Sequence, residues 1–131
     1  MDLILTGSQT EVLLVHMHIM RKSIKRVLKA NYGAKEGKRL LKVYDSVKEA
    51  LKEPYELMEA DTTYPFSFDE EQMELLQSFL KAFMDKFEEE VKDKVFLEAE
   101  KEQAKEHMQF PLLLEVQNKV NELYKEGERI A

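Results

Sequence analysis

Hydrophobic side chains recur at intervals of three and four along most of the chain, which is the spacing of one face of an α-helix. The first such run follows Ser8 and ends at about Asn31, before Gly33, a residue typical of a left-handed helix stop. Because Ser8 and Glu11 have the spacing of a capping box, we expect Ser8 to cap this first helix. Its inward face comprises Leu13, Met17, Met20, Ile24 and Val27 or Leu28.

A second periodic run extends from about Ala34 to Ala60 and contains Pro54. Proline removes one backbone hydrogen bond and crowds the preceding turn, so we expect it to kink this second helix. The residues on its inward stripe are Leu40, Tyr44, Val47, Leu51, Tyr55 and Met58.

The second half of the chain predicts two further helices. Residues 67–70 have the spacing of another capping box, at which the third helix begins, and Pro111 suits the first position of a fourth helix that runs to about Glu126. The inward residues are Met73, Leu76, Leu80, Phe83 and Phe87 in the third helix and Leu113, Val116, Val120 and Leu123 or Tyr124 in the fourth. This succession predicts an all-α protein, an antiparallel up-down helical bundle of about four helices.

The charged stretch after Glu90 leaves the length of the third helix open. An unbroken helix from 69 to 108 would be about 60 Å long, against about 36 Å for the first helix. Either the helix breaks between about 90 and 97 and closes the bundle, or a long third helix overhangs and packs on another subunit.

The length of 131 residues is typical of one domain, and its composition, 44% hydrophobic and 35% charged, is that of a globular chain. We expect residues 1–7 to form an N-terminal arm and residues 61–68 to form an aromatic loop. The most apolar stretch, Val12 to Met20, is too short to span a membrane, and the first residues lack the positive segment of a signal peptide. These features predict a cytoplasmic protein that does not bind membranes.

No residue pattern indicates catalysis, a metal or another cofactor. The chain contains no cysteine, which excludes thiolate metal sites and cysteine nucleophiles. His16 and His18 are two residues apart on a helix, so they point in nearly opposite directions and do not share a metal ion. Since Ser8 and Ser67 are better explained as helix caps than as nucleophiles, we expect a protein that is not an enzyme.

Charge is distributed unevenly along the chain. Residues 1–50 carry a net charge of +5 and residues 51–131 a net charge of −11, and residues 17–42 contain nine basic residues and one acid. This basic cluster suits phosphate binding, unless the acidic residues 88–90, predicted to lie level with residues 38–42, neutralise it within the fold. The candidate anion or partner contacts are Arg21, Lys22, Lys25, Lys29, Lys38 and Lys42.

Two apolar features add candidate contacts with a protein. The aromatic loop contains Tyr64, Phe66 and Phe68, which suit either a partner-binding site or a plug for the end of the bundle. The first helix has a second apolar face, which the N-terminal arm or another subunit would cover; its residues are Val12, Val15 and Ile19.

The resulting hypothesis is a small, non-enzymatic protein-interaction module that binds another protein or forms a homodimer through its helix faces. Two alternatives remain open at this point. One is the binding of anions or nucleic acid through residues 21–42, at the basic helix-turn-helix end. The other is an acidic inhibitor that mimics nucleic acid.

Overall fold

The computed structural model describes the backbone of residues 1–93 and 110–130, and the side chains of residues 1–86 and 111–123. The described chain is mostly helical, as the sequence predicts, but it also contains β-strands, which the sequence analysis missed. In chain order its elements are β1 (Asp2–Thr6), α1 (Gly7–Lys52), a 3-10 turn (Tyr55–Leu57), β2 (Thr63–Ser67), α2 (Glu70–Asp93) and α3 (Phe110–Ile130).

Helix α1 consists of two antiparallel arms, residues 7–32 and 34–52, which meet at Gly33. Gly33 has a φ of 85° and a ψ of 173°, a conformation almost confined to glycine, and so ends the first arm where the sequence predicts. The arms approach each other at Gly37, where an added Cβ would lie 2.9 Å from the carbonyl oxygen of Leu28. The two glycines together make the tight helical hairpin possible.

The cap of α1 differs from the predicted one, because Thr6 occupies the capping position instead of Ser8. The Gln9 amide donates to the Thr6 hydroxyl at 3.1 Å, and the Thr6 amide donates to the Gln9 side-chain oxygen at 3.0 Å. The Gly7 amide donates to the carbonyl oxygen of Thr62 at 3.2 Å. Helix α1 therefore begins earlier than predicted, since the turn before β2 supplies acceptors for its first amides.

The predicted N-terminal arm and aromatic loop are in fact β-strands. β1 pairs antiparallel with β2, and Leu3 lies opposite Phe66 and Leu5 opposite Tyr64. Leu3 and Leu5 are fully buried, whereas Ile4 between them is exposed, which is the alternation of a strand with one face on the core. The fold class is therefore mostly helical with a small sheet, not all-α.

The second arm of α1 ends at Lys52 and does not continue through Pro54 to Ala60. Proline cannot donate the hydrogen bond that would continue the helix, so the chain turns into the 3-10 turn instead of a kinked helix. The start of α2 is also shifted from the predicted cap. Asp69 accepts from the Gln72 amide at 2.8 Å, and the Gln72 side chain accepts from the Asp69 amide at 3.0 Å.

The core lies where the three helices meet the inner face of the strands. Most of the predicted inward residues are buried there, Val27 is exposed, and the side chains of Phe87 and Tyr124 lie outside the described residues. The half-buried ones are Met20, Ile24, Leu40, Tyr55, Met58, Phe83 and Leu123. The fully buried members are Leu13, Met17, Tyr44, Val47, Leu51, Met73, Leu76, Leu80, Leu113, Val116 and Val120. This core confirms the inward face that the sequence predicts for each helix.

Side-chain hydrogen bonds join α3 to the other elements. The Gln77 amide of α2 donates to Asn121 at 3.0 Å, and the Lys119 ammonium donates to the Ile4 carbonyl at 2.9 Å. The predicted break between about 90 and 97, and the alternative overhang, depend on residues 94–109, which lie outside the described residues. The four-helix bundle therefore stays a prediction.

Candidate functional site

A continuous exposed stripe runs along the first arm of α1. Its members follow one another at intervals of four, four, three, four and three, so they share one side of the helix. They are Glu11, Val15, Ile19, Lys22, Arg26 and Lys29, and all six are exposed. We call this set the α1 stripe; it carries an acid at one end, apolar side chains next to it and bases at the other end.

The apolar part of the α1 stripe borders a groove of about 650 Å³ between the two arms of α1 and the 3-10 turn. Val15 is 45% exposed and Ile19 is 66% exposed, and Leu14 lies beside them in the groove. The prediction of a second apolar face here is confirmed for Val15 and Ile19. Val12, by contrast, is buried in the core and does not belong to this surface.

Charged side chains of both signs line the groove. The acids Glu49, Glu53 and Glu56 border it together with Lys48 and Lys52. The ammonium of Lys48 lies 2.9 Å from Nδ1 of His18. The acidic side chains of the groove could not be grouped from the sequence, because they come from the second arm and the 3-10 turn.

Tyr55, the first residue of the 3-10 turn, lies near Glu11 at the acidic end of the α1 stripe. Tyr55 and Glu56 border both the groove and a smaller cavity that is lined by Ser8 and Glu11. Desolvation raises the pKa of the Tyr55 hydroxyl, and the charge and hydrogen bond of the Glu11 carboxylate raise it further. Glu11 and Glu56 therefore form one acidic region around this tyrosine.

The predicted basic cluster occupies the end of the helical hairpin, and an ion pair within the chain neutralises one of its candidate contacts. Arg21 binds Asp45 through two hydrogen bonds of 2.8 Å, Nε to Oδ1 and Nη2 to Oδ2. The remaining candidates are exposed, and among the described residues none of them pairs with a carboxylate within 4 Å; they are Lys22, Lys25, Lys29, Lys38 and Lys42.

The predicted position of the acidic residues 88–90 is wrong. Arg39 pairs with Glu71 at 2.9 Å, which places the first turn of α2 beside the second arm of α1. Farther along α2, Phe83 contacts His16, so this helix runs away from the hairpin end. Residues 88–90 lie about 25 Å beyond Glu71 along the helix and are therefore not level with residues 38–42.

The three aromatic side chains of the predicted loop face the core. Phe66 and Phe68 are 6% and 3% exposed, and their rings stack with centroids 6.2 Å apart. Tyr64 is half-buried, and its hydroxyl accepts a hydrogen bond of 2.7 Å from the Glu59 amide. Phe66 and Phe68 are therefore inaccessible to a partner. Their burial favours the alternative interpretation, in which the aromatic residues pack within the fold and do not form a partner-binding site.

The two histidines of the first arm have separate environments. Nδ1 of His16 donates to the Val12 carbonyl at 2.7 Å, and the His16 ring meets Phe83 edge-on with centroids 5.0 Å apart. Among the side chains of residues 1–86 and 111–123, no group of three possible metal ligands comes together. None of the helices in the described part combines the length and apolar composition needed to cross a bilayer.

Compared with known proteins, the chain matches no family model, no curated protein and no solved structure. Its function is therefore inferred from its own residues.

Proposed function

We propose that the chain is a small, non-enzymatic module that binds protein through the α1 stripe. The observation that carries this proposal is the exposure of Val15 and Ile19 side by side at the border of the groove. Adjacent apolar side chains that are rimmed by polar ones are typical of protein-binding surfaces.

The charged groups of this surface favour binding over catalysis. Glu53 and Glu56 are exposed at the rim of the groove, and Glu11 is exposed beside the smaller cavity that Glu56 also borders. Catalytic acids and bases usually lie in a concave, water-poor site that perturbs their protonation. Exposed rim charges instead set the orientation and the association rate of a binding partner.

A matched pair of valine variants tests this proposal. Val15 belongs to the α1 stripe, whereas Val27 lies on the same arm, is 50% exposed and is not part of the stripe. Tagged native chain, Val15→Asp and Val27→Asp are purified from the host, and the proteins that co-elute, including untagged copies of the chain, are identified. We expect the bound protein to be lost with Val15→Asp and kept with Val27→Asp. A partner that Val15→Asp retains at the native level would contradict the proposal.

The exposed basic hairpin end supports a second candidate function, the binding of anions or nucleic acid. The supporting observation is that Lys22, Lys25, Lys29, Lys38 and Lys42 are exposed without a carboxylate partner among the described residues. Fluorescence anisotropy with labelled DNA and RNA at low salt measures this binding. We expect Lys25→Glu with Lys29→Glu to abolish it, and added salt to weaken it steeply. If the native chain binds neither nucleic acid at low salt, this candidate is removed.

A further inference from the structure

The order of charges along the α1 stripe is that of a self-complementary surface. Glu11 lies at one end with Glu56 beside it, across the small cavity that both border. Val15 and Ile19 follow, and Lys22 and Arg26 continue the stripe toward the hairpin end. The sequence of properties is therefore acidic, apolar and basic along a single exposed face.

Helix geometry shows what a second copy would place on this face. If two stripes pack antiparallel about a two-fold axis level with residue 17, Val15 meets Ile19 of the partner subunit. Measured along the helix, Glu11 lies about 9 Å to one side of the level of the axis, and Lys22 lies about 7.5 Å to the other side. The two-fold axis therefore brings Glu11 opposite Lys22 of the partner subunit. Residue 8 is level with residue 26 of the other chain, and Glu56 borders the same cavity as Ser8, so Glu56 would lie near Arg26 of the partner subunit.

We infer that the protein bound by the α1 stripe is a second copy of this chain, packed antiparallel about a two-fold axis; the inference rests on the proposed function. A two-fold interface brings the same patch of both subunits together, so each acid-to-base contact occurs twice. A parallel arrangement would instead oppose like charges at both ends. The hairpin end beyond Lys29 would remain outside this interface.

The dimensions of the stripe set the expected strength. From Glu11 to Lys29 it is about 27 Å long and about one helix, 10–12 Å, wide. Such a contact is smaller than a standard specific protein interface, so we expect weak, micromolar dimerisation. Sedimentation velocity from low to high micromolar concentration measures it directly.

Charge reversal tests the antiparallel arrangement. The first variant, Glu11→Lys with Glu56→Lys, places bases opposite bases at both contacts, and the second, Lys22→Glu with Arg26→Glu, places acids opposite acids there. Each variant alone is expected to dimerise at least about tenfold more weakly than the native chain, because like charges oppose each other. An equimolar mixture restores both contacts and is expected to form a heterodimer with at least native affinity.

A control variant separates the interface from the effect of net charge. Lys81 and Lys86 are exposed on α2 and lie outside the α1 stripe. Lys81→Glu with Lys86→Glu changes the net charge by the same amount as the acidic variant, and we expect it to dimerise like the native chain. Equal weakening in this control would overturn the assigned interface, as would failure of the two stripe variants to form a heterodimer.

Cross-linking provides a measurement that does not depend on charge reversal. The chain contains no cysteine, so His18→Cys, next to the proposed axis, introduces a unique thiol. A short bis-maleimide is expected to join two His18→Cys chains at micromolar concentration, whereas Val27→Cys, away from the stripe, remains largely unjoined. Equal cross-linking of the two variants would contradict the arrangement.

The outcomes also distinguish this inference from the proposed function. A native chain that remains monomeric at high micromolar concentration overturns the inference. If a different protein then still co-elutes with native chain and Val27→Asp but not with Val15→Asp, the proposed function stands with another partner. If no protein shows that dependence on Val15, the proposed function fails as well.

Discussion

The hydroxyl of Tyr44 donates a hydrogen bond to the main-chain carbonyl oxygen of Met17 and so ties the second arm of α1 to the first. Tyr44 is fully buried, and its ring meets Phe79 of α2 edge-on with centroids 5.7 Å apart. Desolvation raises the pKa of the Tyr44 hydroxyl, so it remains a neutral donor through the physiological range. One side chain therefore connects both arms of the hairpin with α2.

Two substitutions at Tyr44 are expected to separate its hydrogen bond from its packing. Tyr44→Phe removes the hydroxyl and should lower the free energy of unfolding by about 0.5–1.5 kcal/mol. Tyr44→Ala also removes the ring and should cost about 3–5 kcal/mol, as for other buried aromatic residues. Urea denaturation followed by circular dichroism measures both values. Equal losses in the two variants would mean that the ring contributes little to the core.

The second prediction compares two phenylalanines on α2. Phe79 is buried and packs on Tyr44, whereas Phe83 is half-buried against His16. Because the cost of truncation follows the buried volume that is lost, Phe79→Ala should destabilise the chain by about 3–5 kcal/mol and Phe83→Ala by less. Parallel urea denaturation of the two variants gives the comparison. A greater loss for Phe83→Ala would show that the inward face of α2 is rotated toward that residue.

The third prediction concerns the two glycines of the helical hairpin. Gly37→Ala would place a Cβ 2.9 Å from the Leu28 carbonyl oxygen, so the arms must separate. Gly33→Ala meets no such contact but forces alanine to a φ of 85° with a ψ of 173°, at a cost on the order of 1–3 kcal/mol. Both variants should melt at lower temperature than the native chain. Gly33→Asn should not recover the loss, because asparagine tolerates the left-handed helical region, with a ψ of about 45°, and not the ψ of 173° found at Gly33.

Local patterns predicted the helices and their inward faces, but not where the helices begin and end, and not the β-strands. The inward positions from Leu13 to Val120 follow from periodicity, and Gly33 marks the hairpin, because both signals lie within a few residues along the chain. β1 and β2 contain five residues each and are about 60 residues apart. Runs this short give little period-two signal, and their pairing depends on contacts that local patterns do not contain.

The same distinction applies to the helix caps and to the candidate site. Thr6, rather than Ser8, caps α1 because the turn that includes Thr62 supplies an acceptor for the next amide. Val15 and Ile19 were predicted as an apolar face from their spacing alone. Glu56 could not be assigned to the same surface, because the 3-10 turn brings it there from the other end of α1.

The last prediction is the pH dependence of the ion pair between Arg21 and Asp45, which links the two arms of α1 at 2.8 Å. The hydrogen bond from Arg21, and then its charge, hold the pKa of Asp45 below its ordinary value of 3.8. A lowered folded-state pKa means that the carboxylate stabilises the fold fully above the unfolded pKa, and that this contribution is lost as the pH falls through the folded pKa. The contribution is small because both side chains are about 40% exposed.

Asp45→Asn should therefore be less stable than the native chain at neutral pH, and the difference should disappear as the pH falls well below 3.8. Urea denaturation of both chains at a series of pH values measures the difference, and added salt should reduce it at neutral pH by screening the pair. Asp85→Asn is the matched control, because Asp85 pairs with Lys81 within α2, and this pair does not connect the two arms of α1. A difference for Asp45→Asn that persists unchanged at low pH would show that its packing, rather than its charge, joins the arms.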